Sequence, residues 1–192
     1  RAVFYILLAL MHLTMPSSLR PGFTLFIDVL AMSSAVILIR LCLDAGVPPQ
    51  TIAAYRLSVA AVIIAIPALS QHGVREYAKL GHWSYAKMTL SGLLLALHFG
   101  TWITSLVYTS VVSSVFLVAS TPLWIGLLSP VILREKMRRG IWVGIGTTLL
   151  GSIIGGVASK STSMPLAWQG DILALVGAMC AALYLMIGRT LS

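Results

Sequence analysis

Between residues 88 and 133 two long apolar runs follow one another with only a Tyr108-Thr109-Ser110 link. Four more runs of the same kind flank them, at about 25–43, 51–69, 141–158 and 171–189. The six runs are 18 to 23 residues long. At about 1.5 Å rise per residue, a helix of that length crosses a hydrocarbon layer of about 30 Å. No other feature restricts the fold so tightly, because in lipid every backbone polar group must be paired within the chain, which leaves helices and closed barrels. Barrel strands alternate over segments of about ten residues; these runs are longer and continuously apolar. The sequence therefore predicts an all-α integral membrane protein, a polytopic bundle of about six transmembrane helices.

Composition agrees: 58% of residues are hydrophobic and 9% charged, with a mean hydropathy of +0.97, outside soluble globular usage. The net charge of +8 does not indicate a nucleic-acid binder, because the basic residues sit between apolar runs rather than on a soluble face beside stacking aromatics. They read instead as orientation signals. Arg75, Lys79 and Lys87 follow run two and Arg134, Lys136, Arg138 and Arg139 follow run four, with Arg20 and Arg189 on the same side. The alternate connections carry only Lys160. Lys and Arg are retained in the cytoplasm, so the N-terminal side of the first run is expected to be cytoplasmic. Cys42 and Cys180 lie inside apolar runs without CxxC spacing, and no metal or cofactor is expected.

Residues 1–24 form a poorly readable N-terminal extension. Its apolar stretch covers only about 14 residues and is followed by Pro16 and Pro21, which is short for a span. At the other end the sequence stops just as run six closes, so a fragment of a longer chain is expected. An internal echo points the same way. Asp28-Val29-Leu30-Ala31 opens run one and Asp171-Ile172-Leu173-Ala174 opens run six. A repeat of five spans forces its second copy to start from the opposite side of the membrane, as in the inverted repeats of secondary transporters.

Residues 98–156 resemble the end of an EamA-type repeat of the drug/metabolite transporter superfamily. The matching features are the short Tyr108-Thr109-Ser110 turn, Pro122 in mid-run, Arg134-Glu135 closing run four and the Gly-rich run five. AMSSAVILIR at 31–40 and IAAYRLSVAA at 52–61 are similar to the family's first two helices. The resemblance implies one five-helix repeat over 25–158, an outer loop over 159–170, and the first helix of an inverted second repeat over 171–192. It also implies transport of small metabolites across a bacterial inner membrane.

The residues themselves suggest where a solute would pass. In run three Ser91, His98, Thr101, Trp102 and Ser105 share a helical face, and in run four Ser113, Ser120, Thr121 and Trp124 do likewise. Pro122 has no N–H for the carbonyl of Val118, which leaves an acceptor free near mid-membrane. Ser34 in run one joins this candidate lining. The alternative is that the hydroxyls bond their own backbone and the Trp side chains pack. His98 is the sharpest candidate, because a lone ionisable group inside the membrane marks function by default, although an imidazole donating to a neighbouring carbonyl also serves as structural glue. Arg40 and Arg56 are expected at similar depth, where an anion would bridge them, or both would snorkel to headgroups with Asp44 beside Arg40. No carboxylate falls in mid-run, so ion coupling would rest on His98 or on a missing half.

Gly140, Gly144, Thr148, Gly151 and Gly155 form a small ridge on run five, and Gly92, Ala96 and Gly100 one on run three. Both are expected to pack against neighbouring helices, with a dimer interface as the alternative. The sequence shows no HExxH, GxSG or paired carboxylates, so an enzyme is not expected. The reading is a transporter moving small metabolites or drug-like solutes, such as amino acids, by alternating access through a central polar cavity. The alternative is an assembly or structural subunit without transport of its own. Expected partners are a small-molecule solute, the lipid bilayer, and the missing second repeat or a homo- or hetero-oligomeric partner, with no nucleic acid.

Overall fold

The computed structural model describes residues 20–77, 80–132, 139–158 and 166–191. They form α1 (Arg20–Asp44), α2 (Pro49–Tyr77), α3 (His82–Tyr108), α4 (Val111–Val118), α5 (Thr121–Ile132), α6 (Arg139–Ala158) and α7 (Ala167–Arg189), with no strand among the described residues. Among the described residues five stretches are long and apolar enough to cross a bilayer: Gly22–Asp44, Pro49–Ser70, His82–Tyr108, Val111–Ile132 and Ala167–Arg189. α6 adds the shorter apolar segment Gly140–Gly151, which overlaps the range expected for the fifth span. The chain is a multi-pass helical membrane protein.

Helix limits differ from the apolar runs because capping, not hydropathy, ends a helix. α2 continues to Tyr77 past its apolar stretch, and α3 starts at His82 after an extended Gly81. Residues 20–24, expected to belong to an unreadable extension, are the first turn and more of α1. Residues 1–19, the Arg134–Glu135 pair with Lys136 and Arg138, most of the 159–170 loop, and the side chains of Arg75, Arg139 and Gly155-Gly156 fall outside what is described.

The chain divides into two compact units, one ending at Leu41 and the other running from Cys42 onward. In the first, α1 carries Ser34, whose hydroxyl donates to the carbonyls of Leu30 at 2.5 Å and Ala31 at 3.2 Å, and Arg40. The second begins with a helix stop. Gly46 at φ 82 lets its N–H reach Leu43 O at 2.9 Å while Val47 N–H reaches Cys42 O at 3.0 Å, the paired bonds of a Schellman ending. Pro49 then opens α2, where a missing N–H costs nothing.

Within this unit α7 is the central element, packed on α3, α4 and α5, with α2 against α3 and α6 against α4 and α5. Its inward face is Gly170, Ala174, Gly177, Ala178, Ala181 and Ala182. Trp102 of α3 stands opposite Gly177, and Ile103 and Leu106 of the same helix are fully buried. Apolar burial gives no drive for helix association in lipid, so small residues that let backbones close up carry the packing. The ridges expected to do this on α3 and α6 do not. A Cβ added at Gly92, Gly100, Gly140, Gly144 or Gly151 would meet nothing within 4 Å. The close approach is made instead by Gly170 and Gly177 of α7. Trp83, Trp142 and Trp168, 80%, 41% and 60% exposed, lie in the first turn of α3, α6 and α7, where indoles favour the membrane–water interface.

Candidate functional site

The fourth apolar run is not one helix. It breaks at Ala119–Ser120 into α4 and α5, with Pro122 in the first turn of α5. There its absent N–H has no intrahelical partner to lose. The carbonyl expected to be left free is not free: Thr121 Oγ1 donates to Val118 O at 2.7 Å, and Ser120 Oγ to Leu117 O at 2.5 Å. Two further hydroxyls of the α3 stripe also bond the backbone of their own helix. Thr101 Oγ1 donates to Leu97 O at 2.8 Å, and Ser105 Oγ lies 2.6 Å from both Trp102 O and Ser114 Oγ. Ser105 is fully buried against Ser114, so this part of the α3 face is a helix contact.

The stripes meet through α7 rather than directly. His98 Nδ1 donates to Gly177 O at 2.9 Å, and Thr121 Oγ1 approaches the next carbonyl, Ala178 O, at 3.5 Å. Because a carbonyl only accepts, the imidazole carries a proton on Nδ1, and in the neutral ring Nε2 is then an acceptor. Gly177 makes this possible, since a Cβ there would sit 3.1 Å from Thr101 Oγ1 and 3.4 Å from His98 O.

Around His98 the helix builds an aromatic platform. Trp102, one turn on, stacks on the imidazole with 6.0 Å between centroids and 12° between planes, and Phe99 meets it edge-on at 4.9 Å. From α2 the Arg56 guanidinium lies over the Phe99 ring at 5.0 Å and over Trp102 at 6.0 Å. Arg56 is seven residues inside α2, about 10 Å from the helix start, and half-buried. A cation at that depth gains from facing aromatic rings. The Nε1 donors of Trp102 and Trp124 have no hydrogen-bond partner among the described residues. Ser34 and Arg40 stand on α1, in the first unit.

A second polar junction, not expected as a site, closes the other end of this face. Asp171 Oδ1 accepts from Thr109 Oγ1 at 2.8 Å and from Ser113 Oγ at 2.9 Å. The head of α7 is thereby fastened to the α3–α4 turn. Gly170 lies hard against Thr109, its would-be Cβ 2.8 Å from both Thr109 Cβ and N. The available signal was the Asp171 echo of Asp28, which gives a repeat boundary but not its partners.

Residues 20–155 match the model of the EamA-like transporter family. The chain belongs to that family. Comparison with curated proteins and with solved structures finds no match. The EamA match runs from the start of α1 almost to the end of α6, so the platform on α2 and α3 lies within it. Gly177 and Asp171, which hold α7 to that platform, lie beyond it. EamA-like proteins are membrane transporters, and the chain is read accordingly as an integral membrane carrier of small solutes.

Proposed function

We propose that this chain carries a small polar or amphipathic metabolite across a bacterial inner membrane by alternating access, along a path that passes the Arg56–Phe99–Trp102–His98 platform. One observation carries the reading. While the surrounding hydroxyls are consumed by local backbone bonds, this platform keeps a guanidinium, a buried indole N–H and an imidazole acceptor together on one stretch of α2 and α3. Such groups are costly inside lipid and are retained where a solute uses them. His98, Trp102 and Arg56 are the contacts proposed for the solute. Thr101, Ser105, Ser120 and Thr121 shape the helices around it, and Trp124 offers a further donor from α5. The charge pattern of the connections supports a cytoplasmic start to α1, and the Asp28/Asp171 echo supports an inverted second repeat as the facing half.

Reconstituted vesicles test this. The protein should give saturable flux from a pool of small metabolites, and His98→Ala should lower that flux at least tenfold while leaving insertion intact. Flux of the His98→Ala protein equal to the parent would remove the imidazole from the path.

A further inference from the structure

Resting on the carrier reading, we propose that Arg56 and Trp102 form an oxyanion site, one that takes the carboxylate of a small solute or the phosphate of a lipid headgroup. The platform brings a guanidinium and a buried, unpartnered indole N–H to one aromatic cluster. Arg56 holds its guanidinium over the Phe99 and Trp102 rings, and its N–H groups remain donors for a further partner. Among the described residues no carboxylate pairs with it, and its described partners are those rings. Trp102 adds a donor-only indole N–H, buried at 4% exposure and unpartnered.

The neighbouring donors are already committed, which leaves the N–H groups of Arg56 and Trp102 for an anion. Thr101 and Ser105 hydroxyls lie on carbonyls of their own helix, and the His98 Nδ1 proton is given to Gly177 O. A cation together with a stranded donor, in surroundings of low dielectric, calls for negative charge with several lone pairs. An oxyanion meets both needs, taking the guanidinium edge in the bidentate manner of carboxylates and phosphates.

The test uses the full chain in nanodiscs, with fluorobenzoate and its neutral isostere fluorobenzamide as probes and saturable fluorine line broadening as the readout. In phosphatidylcholine alone, fluorobenzoate should bind and fluorobenzamide should not. Arg56→Gln should weaken fluorobenzoate at least tenfold, Arg56→Lys less, and Trp102→Phe, which keeps the ring and removes the N–H, by about tenfold. If added phosphatidylglycerol displaces fluorobenzoate, and Arg56→Gln retains less of that lipid on purification, the oxyanion is a headgroup phosphate. Equal binding of the two probes overturns the proposal. So does an Arg56→Gln protein that keeps both fluorobenzoate affinity and lipid retention, or a parent protein that binds neither probe nor phosphatidylglycerol. Metabolite flux by the parent protein would persist through each of those outcomes, which separates failure of this site from failure of the carrier reading.

Discussion

Gly170 and Gly177 decide how near α7 comes to α3, and the two positions differ in what stands opposite. At Gly170 an added methyl would lie 2.8 Å from the Thr109 backbone nitrogen and 2.9 Å from Ser105 O, groups that cannot swing aside. At Gly177 its nearest neighbour is the Thr101 hydroxyl at 3.1 Å, which can turn. Gly170→Ala should therefore cost about 2 kcal/mol or more by overpacking, and Gly177→Ala distinctly less. Detergent-titrated unfolding followed by circular dichroism measures both, and equal losses would show that the clash at Gly170 relaxes. At this scale the sequence was partly legible. His98 stood out because an imidazole is conspicuous in an apolar run, and Arg56 because it lies inside one. The Thr109–Asp171 bond joins residues 62 apart, and nothing local in either segment announces the other.

At the scale of the element, the joint between α4 and α5 shows how far pattern reaches. Length and hydropathy place the run correctly, and Pro122 marks trouble in its middle. The outcome turns on side-chain hydroxyls that hydropathy ignores, because Ser120 and Thr121 cap the carbonyls of Leu117 and Val118 and so stabilise a full break. Pro122→Ala would return an N–H to the Val118 carbonyl and let the two helices merge. Spin labels at the exposed positions Val112 and Leu127 should then move apart in electron paramagnetic resonance distances. An unchanged distance would assign the break to the hydroxyls alone. The glycine ridges on α3 and α6 are the opposite lesson: a four-residue spacing of small residues permits close packing without specifying a partner, and here the partner-facing ridge is on α7.

For the whole molecule, the membrane class, the helical architecture and the family were legible from six runs and a few loose motifs. The central place of α7 was not, since its own sequence looks like any other apolar span. Orientation remains a prediction that belongs at this scale. Cysteines placed at Lys87 and Lys160 should react with impermeant maleimide from opposite faces of sealed vesicles, Lys87 from the cytoplasmic face; labelling from one face would reverse or break the assigned topology. The hold of α7 on α3 also has a consequence in time. His98 and the carbonyl it requires are 79 residues apart. At a synthesis rate of about 5–20 residues per second, the imidazole N–H is made roughly 4 to 16 s before its acceptor exists. During that interval the imidazole N–H lies in the chain without the carbonyl that holds it in the finished fold, so the order of synthesis makes α7 the element that closes this bond.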